Sequence, residues 1–126
     1  MVTHVDSNTF EREVVKTSGI VFADFWAAWC GPCKRFAPVF EAASDKHNDV
    51  VFAKVDTEAE PALAGAFGIR SIPTLMVFRD QVLIFQQAGS LPAAALDELL
   101  AKVKELDMDK VRAEIAAQEK SQTGAA

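Results

Sequence analysis

The sequence predicts an α/β domain, and three observations carry that reading. Apolar runs of strand length at residues 20–26 and 50–55 alternate with stretches whose apolar residues recur at helical spacing. A closely linked pair of strand-like runs, residues 75–79 and 82–87, follows them. The chain has 126 residues, 50% of them hydrophobic, which is one domain's length with enough apolar material for a compact core.

Taken in order, residues 2–5 make a short edge strand. Asn8-Thr9-Phe10-Glu11 has capping-box spacing, with Phe10 and Val14 on one face of a helix that ends near Gly19. Residues 20–26 are continuously apolar apart from Asp24, as expected of a central strand covered on both faces. Phe36, Phe40 and Ala43 then mark the buried side of a helix, Lys34, Glu41 and Lys46 its solvent side, and Pro38 is expected to kink it. Residues 50–55 read as a second, parallel strand with Lys54 in an apolar setting, its head either snorkelling to the surface or approaching Asp24. Residues 61–67 form a short helix ended by Gly68.

Asp80-Gln81 is too short a link for anything but an antiparallel hairpin. Tight hairpins favour glycine, so Gln81 predicts a connection wider than two residues. Gly89 ends the last strand. From Pro92 onward Leu96, Leu99, Leu100, Val103 and Leu106 form an apolar stripe that covers one face of the sheet. Residues 107–126 differ in character: Asp107 or Asp109 caps a short helix with only Met108, Val111 and Ile115 on its apolar side, and residues 121–126 have the composition of a disordered end. No internal repeat is present.

The chemistry concentrates in Asp24-Phe25-Trp26-Ala27-Ala28-Trp29-Cys30-Gly31-Pro32-Cys33-Lys34, which holds both cysteines. They fall where a strand hands over to a helix, and the free N–H groups and dipole of a helix start favour a thiolate. As a structural staple the pair is poor, because a bridge closing a loop of two residues removes little chain entropy. As half of a zinc site it lacks partners, the two histidines, His4 and His47, being single and far apart in sequence. A C-x-x-C beside a strand-helix pattern favours a redox motif. Asp24, just before that turn, is a candidate for proton transfer.

A net charge of −5 and a pI near 5.0 argue against nucleic acid or an anionic membrane as the main partner and point to proteins. The first residues lack the basic start and apolar core of a signal peptide, and Asp24 interrupts the longest apolar run. The expected setting is the cytoplasm, where a disulfide is more often a catalytic intermediate than a structural tie.

Trp29-Cys30-Gly31-Pro32-Cys33-Lys34, with Asp24-Phe25-Trp26 before it and Ile72-Pro73-Thr74 after, resembles the thioredoxin family over about residues 5–106. The resemblance implies a thioredoxin fold, a central mixed β-sheet flanked by helices on both faces, with a cis peptide before Pro73 facing the disulfide. It divides the chain into a thioredoxin domain, residues 1–106, and a C-terminal extension, residues 107–126. It also implies protein disulfide reduction by a monomer with no bound cofactor, electrons arriving from NADPH through thioredoxin reductase. Under it Cys30 is the exposed nucleophile, Cys33 the resolving thiol, Asp24 the buried carboxylate serving Cys33, and Lys54 the lysine near that carboxylate. Trp29, Gly31, Pro32, Ile72, Pro73 and Gly89 match the apolar surface on which the family docks substrate segments. Ser71 and Gln81 stand where the family often has glycine, and the extension is additional.

Gly31-Pro32 puts no charged group between the thiols, which predicts modest thiolate stabilisation and hence a reductant. Two rivals are an oxidase or isomerase on the same fold, which needs an oxidising compartment, and a binding or chaperone module in which redox activity is incidental.

Overall fold

The computed structural model describes residues 1–124. Five strands form one mixed sheet in the order β1-β3-β2-β4-β5: β1 Val2–His4, β2 Ile20–Trp26, β3 Val51–Asp56, β4 Thr74–Arg79 and β5 Val82–Ala88. β3 runs parallel to β1 and β2, whereas β4 is antiparallel to β2 and β5 to β4. The helices are α1 Gly31–Lys46, α2 Pro61–Ala66, α3 Ala93–Glu105 and α4 Met108–Gly124.

The alternation along β2 explains the layers. Phe22 packs with Phe36 and Phe40 of α1 and with Leu96, Leu100 and Val103 of α3 on one face of the sheet. Val21, Ala23 and Phe25 point the other way, against Phe10 and Val14 and, from α2 and its end, Leu63 and Phe67. Helices therefore cover both faces. Asp24 shares its register with Lys54 on β3 and Leu75 on β4, so it lies on the face that α1 and α3 cover.

Several expectations shift. The first helix is a short π-helical turn, Glu11–Val15, and no side chain of Asn8 caps it. Asp6 does the capping: its Oδ1 accepts the Asn8 and Thr9 N–H groups while Thr9 Oγ1 accepts the Asp6 N–H, so the reciprocal box starts two residues earlier than its spacing suggested. Pro38 lies inside α1 without ending it, as the sequence allows. The hairpin link is two residues after all, with Asp80 at φ 49° and Gln81 at φ 73°, the left-handed conformation that glycine usually supplies. Hydrogen bonds hold it: Gly19 N–H donates to Asp80 Oδ1 at 2.9 Å, Asp80 N–H to Gly19 O at 2.8 Å, and Gln81 Nε2 to Lys16 O at 3.0 Å.

The extension is longer and better attached than its composition suggested. α4 continues through residues 121–124, where a disordered end was expected; residues 125 and 126 lie outside the described residues. Asp107 Oδ1 accepts the N–H groups of Asp109 and Lys110, Met108 is buried, and Arg112 Nη2 donates to Asp80 O at 3.0 Å. Arg79 Nη1 donates to the carbonyls of Val103 and Leu106 at 2.6 and 2.7 Å, closing the end of α3 just before α4 begins. Among the described residues no helix is long and apolar enough to cross a membrane.

Candidate functional site

Cys30 is the N-cap of α1 and is joined to Cys33 by a disulfide, with Cα atoms 5.2 Å apart. The chain leaves β2, turns through Ala27 and enters the helix at Gly31-Pro32, where proline's missing N–H is harmless. The Cys33 N–H donates to Cys30 Sγ at 3.2 Å, so a helix-start donor already points at the sulfur that would carry the charge of a thiolate. Cys30 Sγ lies 3.5 Å from the Ile72 carbonyl oxygen, and the Ile72–Pro73 peptide is cis. Ile72 and Trp26 pack against the cysteine pair, and Gly89 N–H donates to Pro73 O at 2.8 Å. Residues 29–33, 72–73 and 89 thus meet at the C-terminal end of β2.

The expected exposure of Cys30 is not found: Cys30 and Cys33 are each 3% exposed in the disulfide form. The two sulfurs close against each other, Ile72 and Ala27, so accessibility does not rank them. Their surroundings differ instead. Cys30 faces Ile72, whereas Cys33 lines a cavity of about 230 Å³ with Trp26, Ala27, Ala28, Lys34, Ala37 and Lys54. Trp29 is 68% exposed, and its indole N–H donates to Glu58 Oε1 at 2.6 Å.

Asp24 is 1% exposed and neither carboxylate oxygen has a hydrogen-bond partner. Burial pushes its carboxyl up from 3.8 to about 7, with the nearby Lys54 charge opposing the rise. Lys54 pairs with Asp24 in register but forms no ion pair with it; its ammonium lies 4.8 Å from the centroid of the Trp26 ring. Trp26 Nε1 is likewise buried without a partner. Asp24 and Trp26 occupy the same face of β2, and Trp26 and Lys54 both line the cavity that Cys33 borders.

Sequence reasoning missed Glu58, Arg35 and Arg70. Arg35 folds back over the start of α1, with Nη1 3.6 Å from where a Cβ on Gly31 would lie. Arg70 lines a second cavity of about 180 Å³ with Trp29, Thr57, Ala64, Ile69 and Ile72. For Glu58 and Arg70 the spacing of charged residues carries no signal, because their contacts are made across loops, whereas Arg35 lies four residues after Gly31 on α1, a spacing that was readable.

Comparison with known proteins agrees with this geometry. The family model described as Thioredoxin matches residues 1–116. The chain is similar to "Putative thioredoxin 2" of Streptomyces coelicolor, 54% identical over 107 residues, spanning 85% of this chain and 80% of that protein. It is 42% identical over 99 residues to "Thioredoxin 1" of Synechococcus elongatus, covering 78% of this chain and 92% of the relative. "Thioredoxin" of Porphyra purpurea is 36% identical over 102 residues, or 80% of this chain and 95% of its own length. With its paired cysteines at the start of α1, beside the cis-proline loop, the chain belongs to the thioredoxin family of thiol–disulfide oxidoreductases.

Proposed function

We propose that this protein reduces protein disulfides by dithiol–disulfide exchange, with Cys30 as the attacking thiolate, Cys33 as the resolving thiol and Asp24 as the proton acceptor for Cys33. The observation that carries the reading is the conjunction of the Cys30–Cys33 pair at a helix start with a buried carboxylate that nothing else satisfies. Cys30 attacks one sulfur of the substrate disulfide; that bond breaks, and the other substrate sulfur leaves as a thiolate and takes a proton. Cys33 then gives up its proton to Asp24 and attacks Cys30, which releases the second substrate thiolate and re-forms the Cys30–Cys33 disulfide. Two electrons have moved to the substrate. Tethering makes the second step effectively unimolecular.

Trp29, Gly31, Pro32, Ile72, Pro73 and Gly89 serve as the docking surface, and Lys54 as a cation that moderates Asp24. The oxidised pair is returned to the dithiol by thioredoxin reductase with electrons from NADPH, in the cytoplasm, the protein acting as a monomer. Residues 1–106 form the catalytic unit and the extension stands apart from the chemistry. The test is NADPH consumption by this protein, a thioredoxin reductase and a disulfide-bonded protein substrate. Steady turnover that vanishes in Cys30→Ser supports the reading; reduced protein that fails to transfer electrons to any disulfide rejects it.

A further inference from the structure

The cations of this acidic chain are not distributed evenly with respect to carboxylates. Away from the disulfide most are paired: Arg12 with Glu13, Lys16 with Glu11, Lys46 with Asp97, Arg79 with Asp80, Lys102 with Glu98 and Lys104 with Asp49. Around the disulfide they are not. Among the described residues Lys34, Arg35, Lys54 and Arg70 have no ion-pair partner, a condition shared on α4 by Lys110 and by Arg112, which is bonded to the Asp80 carbonyl instead. Lys54 is turned inward over Trp26, but Lys34, Arg35 and Arg70 are exposed.

Arg35 has the most telling position. Its guanidinium lies over Gly31, which is on the proposed docking surface and adjacent to Cys30. The first turn of α1 contains no acidic residue, and a cation near a helix N-terminus works against the helix dipole. Among the described residues no carboxylate is ion-paired with Arg35 to offset that position. An incoming one would. On the Trp29 side Glu58 is engaged by the indole, Asp56 accepts the N–H groups of Glu58 and Ala59, and Glu60 accepts the Ser7 N–H. The carboxylates near the site therefore lie toward Trp29, where Arg70 also lies, and the cation over Gly31 is Arg35.

We propose that Arg35, supported by Lys34, selects disulfides whose attacked cysteine is flanked by acidic residues. This rests on the disulfide-reductase reading and names the substrate class of that same site. Opposite charges brought within contact distance at this exposed position favour encounter and are screened by salt.

The test uses two synthetic peptides of equal length, each with one intramolecular disulfide, carrying either two Asp or two Lys beside the attacked cysteine. The full chain is pre-reduced and single-turnover oxidation is followed at low and high salt. For the parent the second-order rate constant for the Asp peptide should exceed that for the Lys peptide by roughly fivefold at low salt, and the ratio should collapse near 1 M salt. Arg35→Gln should lower the ratio about twofold or more and Arg35→Glu should lower it further, since the charge is removed and then reversed. Lys102→Gln, which makes the same change in net charge far from the site, should keep the parent ratio. A parent ratio of 1, or a ratio that Arg35→Gln leaves intact, overturns the proposal while the reductase reading stands. Oxidation by neither peptide overturns both.

Discussion

The two ends of β2, about 20 Å apart over its seven residues, break local rules in opposite ways. At the C-terminal end polar atoms are left without partners: both oxygens of Asp24 and Trp26 Nε1 are buried and unbonded. At the N-terminal end the departure is in the backbone, where Asp80 and Gln81 hold positive φ, yet there the strain is met by hydrogen bonds from Gly19, Gln81 and Arg112. Strain that is satisfied on all sides serves structure. An unsatisfied buried carboxylate costs the fold stability, and the proton transfer proposed above is what would give that cost a use.

The sharpest way to break this comparison is to remove one sulfur at a time. Cys33→Ser should accumulate a covalent mixed disulfide with substrate, and Cys30→Ser should form none, an all-or-none contrast visible on a non-reducing gel. Mixed disulfide in the Cys30 variant alone would reverse the two roles.

Next in size is Asp24→Asn. The folded pKa of about 7 lies above the ordinary value of 3.8, so between these pH values the folded protein keeps a proton that the unfolded chain has released. Stability from this group is fully present below about 3.8 and is lost as pH rises through about 7. Above that pH the charged, buried form costs on the order of 4 kcal/mol. Denaturant unfolding of the oxidised proteins at pH 8 should find Asp24→Asn more stable by that order, with the difference shrinking toward pH 4. A less stable variant would mean that the carboxylate is a satisfied structural group.

At the other end the effects should be smaller and confined to stability. Truncation after Leu106 exposes what Met108 covers and removes the Arg112 bond to Asp80, a loss of about 2 kcal/mol in unfolding free energy with reductase turnover unchanged. A large loss of turnover would move the catalytic boundary into α4. Gln81→Gly relieves the positive φ but removes the bond to Lys16 and loosens the unfolded chain, so its net effect should stay within about 0.5 kcal/mol by thermal or denaturant unfolding.

The same contrast explains what was legible in the sequence. β2, α1 and α3 were readable because long apolar runs and helical stripes are set by burial in the large core around Phe22, Phe40 and Leu100. The cysteine turn and Asp24 were readable because their residue types and spacing carry the chemistry. The Asp6 cap was missed because Asn8 three residues before Glu11 offers the same local spacing, whereas the tight Asp80-Gln81 link and the full length of α4 depend on partners distant in sequence: Gly19 with Asp80, and Arg112 with the hairpin. Cys30's burial was hidden for the same reason, since Ile72, 42 residues further along the chain, covers it.

The central claim is that Asp24 is unpaired because it accepts the proton of Cys33. Its most direct test is the rate at which a preformed mixed disulfide on Cys30 is resolved, measured in single turnover from pH 5 to 9 in the parent and in Asp24→Asn. The parent rate should rise as the carboxyl ionises, through a pH near 7, and the variant should be slower, by about tenfold or more, and lack that rise. Two superimposable pH profiles would contradict the account and leave Asp24 as a buried group with no part in resolution.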